Sequence, residues 1–196
     1  MSFFTGKDSC LRMVSRLMLM LTLLSMPSHS LFADAASDRR IRVGLNLFRT
    51  FVAADQSLET TADGRVPIAI LYLQSERDAR QLQQQLQQTL PSVQGRPVVI
   101  ETLSLQQLKQ RMQQQQPPAA LFVSERLQDH ERELLVRCTV QDGVAVFSPF
   151  EGDVEQGILG GLSVEAAVKP TINIATLRRS DVRIKRFYLS VARQYE

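Results

Sequence analysis

The 196-residue sequence contains no tryptophan, two histidines and two cysteines, and aromatic residues make up only 6% of it. With so few rings, a sugar-stacking platform has little to be built from. His29 and His130 stand alone, so no metal-ligand spacing is present. Cys10 lies near the start and Cys138 has no second cysteine in the remainder, which excludes an internal disulfide once an N-terminal leader is gone. No serine sits in a Gly-x-Ser-x-Gly elbow. The one glycine cluster, Gly157, Gly160 and Gly161, precedes an apolar run instead of opening a helix. It therefore reads as a tight turn or bulge and not as a phosphate cradle. His130, among Asp129, Glu131 and Glu133, reads as a solvated surface residue, and Cys138 as a packing residue. No catalytic centre, cofactor or metal is expected, and the chain is not expected to be an enzyme.

Long apolar runs are missing too. The run from Leu17 to Met26 covers ten residues, against roughly twenty for a membrane-spanning helix. Lys7, Arg12 and Arg16 precede it, and the small-residue pattern Ala33-Asp34-Ala35 follows. This three-part layout predicts a secretory signal over residues 1–35, cleaved after Ala35. The mature chain, 36–196, is then expected outside the cytoplasm with no stable membrane insertion. Removing the leader takes three of 23 basic and two of 20 acidic residues, leaving 20 against 18. Such a balance gives no reason to expect a nucleic-acid partner. Only Arg178 to Arg186 is enriched in basic residues, and it reads as a solvated helix face.

About 160 residues suffice for one domain. Ile41, Leu45, Phe48, Phe51 and Val52 recur at helical spacing between Arg40 and Ala53. Val66 to Leu73 is a short apolar run of the kind that forms a strand buried on both faces, with Pro67 tolerated near its start. Ser75 and Asp78 suggest a capping box ahead of a leucine ridge at Leu82, Leu86 and Leu90. The unit then repeats: a strand at Pro97 to Ile100, a Ser104/Gln107 cap, and a ridge at Leu105, Leu108 and Met112. A third strand at Ala119 to Val123 and a helix from about Ser124 to Arg137 follow. Gln83 to Gln85 and Gln113 to Gln116 are solvent faces of helices. The alternation predicts an α/β single domain: a mostly parallel sheet flanked by helices on both faces. Gly143 to Phe147 and Leu162 to Val168 are strand-like and are expected to pair antiparallel at one edge, in the C-terminal third. A stripe of Ile184, Phe187, Tyr188, Val191, Ala192 and Tyr195 predicts a last helix docked on the sheet.

The second half resembles the YfiR family of periplasmic regulators. The resemblance runs through Thr139-Val140-Gln141-Asp142, Val146-Phe147, Gly160-Gly161-Leu162-Ser163-Val164, Pro170-Thr171-Ile172-Asn173, Arg183-Ile184 and Leu189-Ser190-Val191-Ala192. Leu47-Phe48-Arg49-Thr50-Phe51 is similar to that family's Phe-rich first helix. Where family members carry a Trp before a Pro, this chain has Val52-Ala53-Ala54, and lone Cys138 cannot reproduce the paired cysteines of many members. The resemblance implies a non-enzymatic periplasmic protein that binds and restrains the periplasmic domain of an inner-membrane diguanylate cyclase, a GGDEF protein. Cyclic di-GMP signalling and biofilm formation would fall. It also implies a possible homodimer. Phe48 and Phe51 are candidates for the partner or dimer surface, with core packing as the competing reading. The alternative function is a periplasmic small-ligand-binding protein related to solute-binding lobes.

Overall fold

The computed structural model describes residues 29–165 and 167–196. The basic stretch and apolar run of the expected leader fall outside the described residues. Arg39–Glu196 forms one compact unit. No helix among the described residues is long and apolar enough to cross a membrane.

The chain order is α1 (His29–Ala54), β1 (Val66–Tyr72), α2 (Glu76–Thr89), β2 (Ser92–Val93), β3 (Arg96–Ser104), α3 (Leu105–Gln113), β4 (Ala120–Val123) and α4 (Asp129–Asp142). It continues with β5 (Ala145–Ser148), β6 (Gly160–Val164), β7 (Val168–Asn173), α5 (Ile174–Arg179), α6 (Arg186–Val191) and β8 (Arg193–Tyr195). All eight strands join one sheet in the order β2-β3-β1-β4-β5-β6-β7-β8. From β3 through β6 every neighbouring pair is parallel.

The order explains which helix covers which face. From β1 the chain crosses to β3 on one side through α2, then returns past β1 to β4 through α3. Because both crossovers are right-handed, reversing direction moves the second helix to the opposite face. Accordingly Ile68, Ile70 and Phe122 pack with α1 and α2 in one core layer. Ala69, Leu71, Leu121 and Val123 pack with α3 and α4 in the other. This alternation is why β1 and β4 read as unbroken apolar runs.

Local signals place most element ends. Ser104 and Gln107 form the full capping box. Ser75 Oγ accepts from Asp78 N at 3.3 Å, but Asp78 does not reciprocate. Leu82 and Leu86 form the buried ridge of α2, and Gln83, expected on the solvent face, donates to Ile100 O at 2.6 Å.

Four expectations are corrected. The helix expected from about Ser124 to Arg137, α4, begins at Asp129, because Ser124 still bonds Leu71 O alongside β1 and a Gln128/Glu131 box starts the helix. It runs to Gly143, which takes the left-handed cap conformation at φ 68° and ψ 16°. β5 and β6 pair parallel, not antiparallel. The antiparallel pair of the C-terminal third is β6–β7, because the chain reverses between Val164 and Val168 inside what reads as one strand. The C-terminal stripe is not one helix: α6 stops at Val191, and Arg193–Tyr195 pairs with β7 as an edge strand. The basic stretch Arg178 to Arg186 is no helix face either, since it spans the end of α5, a loop and the start of α6.

Gly160 and Gly161 lie within β6 and act through closeness. A Cβ at Gly160 would stand 2.8 Å from the Phe51 ring, and one at Gly161 2.6 Å from the Ser148 carbonyl oxygen.

Candidate functional site

Phe48 and Phe51 are fully buried, which corrects their reading as a partner or dimer surface. Their rings lie on the sheet-facing side of α1. Phe48 meets Phe122 at 5.4 Å and Phe147 at 5.8 Å between centroids, and Phe51 meets Phe147 at 5.6 Å and Tyr188 at 5.8 Å. Helical spacing established that the two share a face; what covers that face is the sheet.

In an open sheet of this order, a ligand would sit beyond the carboxyl ends of β1 and β4, where the chain leaves in opposite directions. There the turn after β1 turns three successive backbone N–H groups towards a single acceptor, at the start of α2. The acceptor is the chain's own Glu125. Its Oε1 accepts from Leu73 N at 3.2 Å, Gln74 N at 3.1 Å and Ser75 N at 2.9 Å, and Oε2 accepts from Gln74 N at 3.0 Å. Glu125 thus satisfies the Ser75 N–H that Asp78 leaves unmade. It also places a negative charge at the N-terminus of α2, where the helix dipole favours it. Sequence reasoning missed Glu125, a single carboxylate whose partners lie about fifty residues away; its only signal is its place just past the end of a central strand.

The neighbouring end of β5 is held by Asp153, which is buried. It accepts from Arg132 Nε at 3.0 Å and from Ser148 Oγ at 2.5 Å. This Ser–Asp–Arg set closes the turn after β5, with Phe150 N donating to Ser148 Oγ at 3.2 Å. His130 is exposed in the first turn of α4. Cys138 is buried within α4, and burial pushes its thiol up to about 11, which keeps it protonated and unreactive at neutral pH. Among the described residues, no group of three or more His, Cys, Asp or Glu side chains is arranged to hold a metal. At the opposite end of the strands, a cavity of about 210 Å³ is lined by Ser57, Glu59, Pro117, Gln141, Asp142 and Asp181, among others.

The C-terminal segment is pinned by a second carboxylate. Asp55 is 1% exposed. Its Oδ1 accepts from Ser57 N at 2.8 Å and Ser57 Oγ at 2.5 Å, while Oδ2 has no partner. Ser57 Oγ in turn accepts from Arg183 N at 3.0 Å. Backbone bonds from Gln56 N to Arg183 O and from Lys185 N to Ala54 O complete the clasp. Downstream, Tyr188 is buried but Phe187 is 80% exposed and Val191 49%. The stripe that predicts one docked face is therefore split, and Phe187 and Val191 are residues that helical spacing misassigned. The cations immediately before Phe187, Lys185 and Arg186, were the available signal.

Two predictions follow from the two carboxylates. Replacing Glu125 by Ala leaves three N–H groups without their acceptor; as the site is half-buried and water can partly substitute, the expected loss is about 1–2 kcal/mol in urea unfolding. Glu125→Gln should recover part of it, and unchanged stability in Glu125→Ala would contradict the assignment. Burial raises the Asp55 pKa above its ordinary 3.8, against the lowering effects of Ser57 and Arg183. A raised folded-state pKa means that the stability it contributes is complete below the ordinary value and is lost as pH rises through the folded one. Asp55→Asn carries no charge, so its stability relative to the parent should improve as pH rises from about 4 to 7. A difference that stays constant with pH would show that the carboxyl is not the titrating group.

No protein-family model matches the chain, and no curated protein matches it.

Proposed function

We propose that this chain is a non-enzymatic regulatory protein of the periplasm, exported by a cleavable leader. In this reading it binds the periplasmic domain of an inner-membrane diguanylate cyclase and restrains it. The observation that carries the reading is the position of Glu125. Where an open α/β sheet takes a small ligand, the N–H groups that would hold it are already taken by the chain's own carboxylate, which favours contact with another molecule through the outer surface. The motif progression from Thr139 to Ala192 is the support for a cyclase as the partner.

The physical requirement is modest. A soluble domain restrains a receptor by binding its inactive conformation better than its active one, and a tenfold shift in population needs about 1.4 kcal/mol of differential affinity. A body with a tightly packed core supplies such discrimination, because its surface presents one shape. Whether it acts as a homodimer does not alter this requirement.

Deleting the gene should raise cellular cyclic di-GMP and biofilm, and restoring it should reverse both. The tagged mature protein should recover a membrane-bound GGDEF protein from envelope extract. Unchanged cyclic di-GMP on deletion, together with no cyclase in the recovered material, would overturn the reading. A solute that raises the melting temperature in a concentration-dependent way would instead favour the small-ligand carrier.

A further inference from the structure

Arg178, Arg179, Arg183, Lys185 and Arg186 fall within nine residues, with Asp181 the single acid among them, and all five cations are exposed. Among the described residues, none of the five makes an ion pair. The one side-chain hydrogen bond they form to the described residues is Lys185 Nζ to Ala53 O at 3.0 Å. Next in sequence stands Phe187, four-fifths exposed, with Val191 one turn further along the same side of α6. Ile184 and Tyr188 are buried and anchor the segment from beneath. At the same edge of the sheet, Val164 and Val168 form an exposed cross-strand pair in the β6–β7 hairpin. Arg193 of β8 pairs with Glu165 there.

A single exposed apolar residue is ordinary on a protein surface. An exposed phenylalanine beside the buried Ile184 and Tyr188, with five exposed cations just before it, is a different arrangement. Aromatic residues and arginine are the types concentrated at the centres of protein interfaces, the aromatic filling a pocket and the arginines meeting carboxylates. Five cations against the single acid Asp181 leave the segment with a net positive charge, so a complementary surface is acidic.

We propose that Phe187 is the anchor of a docking face formed by residues 178–191, and that its occupant is a protein surface offering an apolar pocket bordered by carboxylates. A lipid surface fits less well. Helices that lie in a membrane interface bury a continuous apolar face, whereas α6 has six residues and exposes two large apolar side chains. The inference deepens the reading of the chain as a binding protein and rests on it.

The test places a photo-crosslinking phenylalanine analogue at Phe187 of the full chain in its host, and separately at Gln88, an exposed residue of α2. The expected result is an adduct from Phe187 and not from Gln88, whose partner peptide, identified by mass spectrometry, lies in a protein segment flanked by Asp or Glu. Arg183→Glu combined with Arg186→Glu should lower the yield about tenfold or more at low salt. No adduct, an adduct to lipid or to a second copy, equal yields at both positions, or indifference to charge reversal would overturn the docking face. An acidic protein partner other than a cyclase would keep the face and remove the cyclase reading. A cyclase joined at Gln88 but not at Phe187 would do the reverse.

Discussion

The packing of one helix onto two strands through aromatic rings is the contact on which the rest of the structure depends. Phe48 and Phe51 bring α1 onto β4 and β5, where Phe122 and Phe147 stack at 6.1 Å between centroids. Each such pair contributes about 0.5–1.5 kcal/mol beyond the area it buries, and all four rings are inaccessible to water. The space for them is made by what is missing from β6. Gly160 has no side chain where a Cβ would strike the Phe51 ring. Tyr188 then closes the cluster from the far side and ties α6 to the same rings.

That contact has consequences at both ends of the sheet. With α1 fixed, its last residue Ala54 and the following Asp55 and Gln56 meet the segment at residues 183–185, which they hold by backbone bonds on either side of a buried carboxylate. The segment is thereby held in a shape that buries Ile184 and Tyr188 while turning Phe187 outward. At the other end, Glu125 ties the turn after β1 to the loop after β4. One carboxylate is buried at an energetic cost, and the other is stabilised by three donors. Together they fix the turn after β1 at one end of the sheet and the segment that carries Phe187 at the other.

Much of this was legible in the sequence, for identifiable reasons. β1 and β4 are buried on both faces, so their runs of Val, Ile, Leu and Phe are unbroken and hard to misread. Ser104 with Gln107 marks a helix start by chemistry that is entirely local. What escaped was set by contacts distant in sequence. The reversal between Val164 and Val168 lacks the Gly, Pro or Asn that ordinarily announces a turn, so two strands read as one. The spacing of Ile184, Phe187, Tyr188 and Val191 is helical, but pairing with β7 draws Arg193–Tyr195 into the sheet. Periodicity places Phe48 and Phe51 on one face of a helix and says nothing of what that face meets. Glu125 carries no motif, since its role depends on N–H groups brought to it by the fold.

The central claim is that the aromatic cluster holds α1 and α6 as one unit. Hydrogen exchange on the Phe51→Leu variant tests it directly. Faster exchange should appear together in residues 45–55 and 182–191, while residues 79–86 of α2 keep their protection. Loosening of residues 45–55 with residues 182–191 unchanged would contradict it.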